Sequence, residues 1–95
     1  MQIRWAEEAL LDLSELHQFI ERDNPVAASR VAAKIIAGAN LLSEHPLVGR
    51  PGRIHTTREL LVSGTPYTLI YHLDAEVVSI LHVFHQARVW SHLLD

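Results

Sequence analysis

The sequence predicts an α+β domain in which an N-terminal α-helical hairpin packs on one face of an antiparallel β-sheet, in the order β-α-α-β-β-β. Three observations predict it. Residues 6–44 carry two apolar stripes at helical spacing, divided by Asp23-Asn24-Pro25. Residues 58–62, 66–71 and 77–88 are three consecutive runs rich in β-branched, aromatic and leucine residues. Residues 47–57, between the two halves, hold two glycines and a proline without periodicity and read as a surface loop.

Taking the elements in order, Gln2–Trp5 reads as a short first strand. Ala6, Ala9, Leu13, Leu16 and Ile20 then fall on one helical face, with Leu10 and His17 at its edge. Glu7 and Glu8 occupy the first turn, where the helix dipole favours negative charge. Asn24 suits an N-cap and Pro25 the first helical position, where a missing N–H is harmless. A second helix follows to about Glu44, with Ala28, Val31, Ala32, Ile35, Ala39 and Leu42 as its stripe. Gly38 lies beside that stripe, whose small residues favour close approach to the first helix. His45-Pro46 ends it, because the residue before proline is biased out of the helical region. Residues 63–66 and 74–76 read as the turns of a three-stranded meander. Residues 77–84 are apolar at nearly every position, as in a strand covered on both faces. The second cover is either the chain's own core or another protein.

At 95 residues the chain is a single domain, 1–95, large enough for one core. Its 48% hydrophobic content excludes a disordered tail, while its apolar runs are too short to span a bilayer. The absence of cysteine removes disulfides and thiolate metal sites, which is compatible with a reducing cytoplasm. No targeting segment is evident at the N-terminus. The formal net charge of −3 disfavours a general nucleic-acid binder. The basic residues are nonetheless uneven: Arg50, Arg53 and Arg58 fall within nine residues, whereas Glu7, Glu8, Asp12, Glu15 and Glu21 line the first helix.

Two polar motifs frame the sheet. Gly49-Arg50-Pro51-Gly52-Arg53 combines close-approach glycines with guanidinium forks suited to phosphate or carboxylate. It lacks the lysine-serine/threonine ending and following helix of a nucleotide-binding loop. In isolation, two arginines in a turn are simply solvated. Arg58 opens the next strand, and a cross-strand ion pair is its ordinary role. His85-Gln86-Ala87-Arg88 ends the last strand, where a histidine and an arginine can serve phosphoryl chemistry or be plain structural groups. His82 and His85 are three apart, so strand alternation places them on opposite faces and no metal site is expected. Trp90, Leu93 and Leu94 make a partly apolar tail, either packed on the domain or available to a partner.

Read together, the asparagine-proline turn, HPLVGRPGR at 45–53, REL at 58–60, YTLIY at 67–71 and ILHVFHQAR at 80–88 resemble the RelE/ParE family of type II toxin–antitoxin toxins. The local match is strongest to the ParE-like branch. The resemblance covers nearly the whole chain and rests on the order and spacing of the pieces. It implies a cytoplasmic bacterial toxin, encoded in a plasmid-stabilisation type of module and held in an oligomer with a cognate ParD-like antitoxin. It further implies inhibition of DNA gyrase by protein–protein contact, with no cofactor, no metal and no active site. Arg50, Arg53, Arg58, His85, Arg88 and Trp90 are then the expected surface for target or antitoxin. The alternative is a RelE-like, ribosome-dependent mRNA endoribonuclease using Arg58, His85 and Arg88. An acidic net charge, no lysine in the loop or sheet and no tyrosine after the last strand depart from that pattern. A third reading is a non-toxic relative retained as a binding module.

Overall fold

The structure, a computed structural model, describes residues 1–87. Its elements are β1 (Gln2–Trp5), α1 (Glu7–Glu21), α2 (Pro25–Leu41), β2 (Arg50–Pro51), β3 (Thr57–Leu61), β4 (Tyr67–Asp74) and β5 (Val77–His85). The strands form one sheet in the order β1-β5-β4-β3-β2, and the helical hairpin packs on one face. The expected architecture holds, with two refinements.

First, the sheet is mixed. β1 runs parallel to β5, with Gln2 opposite Val77 and Trp5 opposite Ile80, while every other pair is antiparallel. Trp5 hands the chain directly to α1, which packs back over β5, so β1 lies along β5 in the same direction. Second, the loop at 47–57 is not wholly irregular. Arg50 and Pro51 pair with Glu59 and Arg58 as a two-residue edge strand. A proline at a sheet edge removes a donor that no neighbour needs.

The helix boundaries follow local chemistry. The Asn24 side chain accepts from the Ala27 N–H at 3.0 Å, and Pro25 stands at the first helical position. α2 stops at Leu41, three residues before the expected end. The next residues continue as tight turns, with the Leu42 N–H bonded to Ala39 O and the His45 N–H to Leu41 O. The Met1 ammonium donates to Ser43 O at 2.8 Å, tying the chain start to this corner.

Ala9, Leu16, Ile35, Ala39, Leu42, Leu69, Tyr71, Val78, Ile80 and Val83 form the core between hairpin and sheet. Leu10, expected at the edge of the first stripe, is exposed. β5 is an interior strand between β1 and β4, and β4 is the middle strand, with residues 67–71 buried without a break. Ile70 and Phe84 lie outside the helix-facing core and are still buried in the single chain. At these positions the second cover is the chain's own. Leu81 has no partner in the β4–β5 register, which slips between Ile70 and Tyr71. This β-bulge bends β5 where β1 ends.

Gly38 faces the sheet, not the first helix: a Cβ there would meet the Val62 side chain at 3.4 Å and Leu69 at 3.7 Å. That is ordinary van der Waals contact in a helix interior, where glycine is about 0.5–1 kcal/mol worse than alanine. Gly38→Ala is expected to raise stability by about 0.5 kcal/mol in urea unfolding. A loss above about 1 kcal/mol would show that α2 and the β3–β4 hairpin pack more tightly than described.

Candidate functional site

The glycine-arginine loop is held by three side chains from the sheet. Arg58 and Tyr71 are cross-strand partners and share a face. The Tyr71 hydroxyl donates to Pro46 O at 2.7 Å and accepts from the Gly49 N–H at 3.0 Å. The Arg58 guanidinium donates to Leu47 O at 3.1 Å and to Gly49 O. Its Nε is buried and has no hydrogen-bond partner among the described residues. Arg58 is therefore a strut whose Nη2 satisfies two loop carbonyls.

Glu59 points to the opposite face, being adjacent to Arg58 on the strand. Its side chain is only 1% exposed. Oε1 accepts from the guanidinium groups of Arg50 at 3.2 Å and Arg53 at 3.4 Å. Oε2 accepts from the Arg53 backbone N–H at 2.9 Å. Burial by itself pushes this carboxyl up. The backbone and side-chain bonds from Arg53, together with the bond from Arg50, outweigh burial and hold it below the ordinary carboxylate range. The Gly52 N–H donates to Thr57 O at 2.7 Å and the Thr57 hydroxyl to Ile54 O at 2.6 Å, which closes the loop base.

A second polar cluster lies at the other end of the sheet. The His85 ring meets Tyr67 edge-on, with centroids 5.2 Å apart. The Ala87 N–H donates to His85 Nδ1 at 3.1 Å. An accepting Nδ1 assigns the neutral tautomer with its proton on Nε2. His85 thus directs Nδ1 to its own turn and Nε2 to its surroundings. Beside it, Leu16, Phe19, Tyr67 and Val83 line a groove of about 540 Å³ between α1 and β5, with Asp12 and Glu15 on the rim. Asp12 also ties the two elements together. One of its oxygens accepts from the Val83 N–H at 3.0 Å and lies 3.4 Å from His82 Nδ1.

The structure brings together Arg50 and Arg53, both on Glu59, and separates them from His85. Arg58 pairs with Tyr71 and His85 with Tyr67, on opposite sides of β4. Four residues along β4 amount to about 13 Å, and two strand spacings add about 10 Å across. Arg88 and Trp90 lie outside the described residues. Sequence reasoning missed Glu59 and Asp12, and counted Tyr71 only among the groups available to a ribonuclease, not as a support for the loop. The signal for Glu59 was a lone carboxylate inside a five-residue strand, close after two loop arginines. Asp12 had no comparable signal, because a helix acid is ordinary.

The model of the family described as ParE toxin of type II toxin–antitoxin system, parDE, matches residues 3–90. The chain belongs to the ParE toxin family. A putative toxin, Y4kP, of Sinorhizobium fredii is 43% identical to this ParE-family toxin over 93 residues, covering 98% of this chain and 96% of that one. Toxin RelE2 of Caulobacter vibrioides is 35% identical over 88 residues, covering 93% and 98%. Among solved structures, the chromosomal ParDE system of P. aeruginosa superposes with a TM-score of 0.82 at 19% identity over 90% of this chain and 95% of that chain, a likeness of fold. The RelBE2 toxin–antitoxin complex of Mycobacterium tuberculosis gives 0.66 at 33% identity over 88% and 95%. The ParE-family toxin is thus a type II toxin of α+β fold. None of its helices among the described residues is long and apolar enough to cross a membrane.

Proposed function

We propose that this toxin acts on DNA gyrase in the cytoplasm by protein–protein contact, without an active site of its own, and is neutralised by a cognate antitoxin. The observation that carries the reading is the commitment of the polar groups a nuclease would need. Arg58 Nη2 is bonded to two loop carbonyls, Arg50 and Arg53 are engaged by Glu59, and His85, whose Nδ1 accepts from its own turn, lies too far from Arg58 to share a phosphate. A general base needs a free lone pair within reach of the hydroxyl it activates. The exposed stems of Arg50 and Arg53 belong to the target surface in this reading. The antitoxin lies along the groove between α1 and β5, where Phe19 is 68% exposed beside Leu16 and Tyr67.

The test is pulse-labelling of new DNA and new protein immediately after the toxin is induced without antitoxin. DNA synthesis is expected to stop first, with gyrase-dependent cleavage complexes. If protein synthesis stops first and gyrase supercoiling is untouched, the reading fails. The relatives of the RelE and RelBE type favour a second reading, a ribosome-dependent endoribonuclease. His85→Ala separates the two: toxicity is expected to persist under the gyrase reading and to vanish under the nuclease reading, with folding checked by circular dichroism. For the groove, Phe19→Asp is expected to weaken antitoxin binding at least tenfold, in line with the roughly 2 kcal/mol lost at aromatic anchors. Unchanged affinity in calorimetry would place the antitoxin elsewhere.

A further inference from the structure

Two guanidinium groups and one backbone N–H converge on Glu59, all within 3.4 Å of its two oxygens. Forked cations with a backbone donor form the kind of cradle that takes a phosphate or carboxylate. Here the anion is the chain's own, and it is almost wholly buried while its partners are not. The Arg50 and Arg53 side chains are 70% and 55% exposed, yet one nitrogen of each, Nη2, turns inward to Glu59 Oε1. The position is deliberate in sequence terms, since Glu59 occupies β3 directly opposite Arg50 on β2. A neutral residue at 59 would leave Arg50 at the sheet edge without its carboxylate, above a chain whose remaining charge is acidic.

We propose that Glu59 is a resident anion that fills a preformed anion cradle and so withholds Arg50 and Arg53 from the phosphate backbone of nucleic acid. Nucleic-acid exclusion then resides at one residue, independently of which cellular target the toxin acts upon. The net negative charge supplies a general repulsion, screened at physiological salt. Glu59 supplies a local one, screened less because its own carboxylate is buried and in direct contact with the arginines. A ligand phosphate has to displace a covalently tethered carboxylate that is already desolvated and fully bonded.

The experiment measures binding of a single-stranded 20-nucleotide DNA and of heparin by wild type, Glu59→Gln, Glu59→Asp and Arg50→Gln. Glu59→Gln keeps the shape and removes the charge. It is expected to bind the oligonucleotide about two- to fivefold more tightly near 0.1 M salt, with a log–log salt slope steeper by about 0.7 for one added phosphate contact at Arg50. Adding Arg50→Gln and Arg53→Gln to that variant should abolish the gain. Glu59→Asp keeps the charge and should gain little. Arg50→Gln in the wild-type background makes the inference testable even if Glu59→Gln fails to fold. A neutralised arginine is expected to change polyanion affinity less than twofold when removed, and a clear loss of affinity in that variant overturns the proposal. So does a folded Glu59→Gln that binds no more tightly than wild type. Neither readout involves gyrase or toxicity, so failure here and failure of the gyrase reading are separate results.

Discussion

Gly49→Ala is expected to be among the most damaging single-atom-scale changes in the toxin, lowering stability by about 2–3 kcal/mol. A Cβ at Gly49 would stand 2.5 Å from the Tyr71 hydroxyl, 2.8 Å from its ring and 2.7 Å from the Glu59 carbonyl. The hydroxyl cannot swing away, because it bridges Pro46 O and the Gly49 N–H. The carbonyl belongs to β3 and cannot move without disturbing the sheet. Relief therefore requires the loop to lift, which frees the Arg58 guanidinium from Gly49 O and leaves buried donors unmatched. For a domain of this size the loss corresponds to a fall in Tm of about 10–20 °C. Tyr71→Phe removes the hydroxyl and its two bonds, at a cost of about 1–2 kcal/mol. Combining the two should fall short of additivity, since the hydroxyl clash vanishes, and yet remain worse than either alone because the Glu59 carbonyl clash persists. A Gly49→Ala protein that melts within about 3 °C of wild type would mean that the loop rests loosely on the sheet.

The contrast with Gly38→Ala explains why the fold was legible in the sequence and the site less so. Helical stripes, the Asn24-Pro25 start and the turn residues each act through local rules, and the structure places them within a few residues of expectation. The parallel pairing of β1 was hidden because four residues with alternating burial read the same in either direction. The two-residue β2 was hidden because Arg50 and Pro51 have no strand propensity, and long-range pairing to β3 alone makes them a strand. Among the site residues, the loop arginines are visible as charge but their destination is not. Solvation, an external phosphate and an internal carboxylate all look alike in a linear sequence. Arg58 was expected at a contact surface, and its support of the loop through Nη2 was not foreseen. A bidentate donor can stabilise backbone carbonyls as readily as it recognises a ligand, and only the third dimension distinguishes them. His85 was correctly placed at the strand end, but its tautomer depends on the Ala87 N–H, a bond formed only when the turn closes.

The acid limb of stability should carry a component that belongs to Glu59. Its folded-state carboxyl lies below the ordinary range, burial being outweighed by the bonds from Arg53 and Arg50, whereas the unfolded chain restores a normal glutamate near pH 4.3. Between those two values the unfolded state binds more protons than the native state, so stability rises with pH across the window. The contribution is fully present above about pH 5, declines as pH falls through the unfolded value, and is gone below the folded one. Protonation in the native state would put a neutral acid between two guanidinium groups and release the Arg53 N–H, so the loop should loosen with it. In Glu59→Gln this component is absent. Wild type and variant should therefore differ most at pH 6–7 and converge as pH falls past the unfolded glutamate's value and through the lower folded one. Urea unfolding of both proteins between pH 3 and 7 tests this directly. Parallel stability curves across that range would show that the ionised form of Glu59 gains nothing from its arginines on folding. Loss of protection of the Arg53 amide in hydrogen exchange, tracking the same pH window, ties the titration to this loop and not to the eleven acidic groups as a whole.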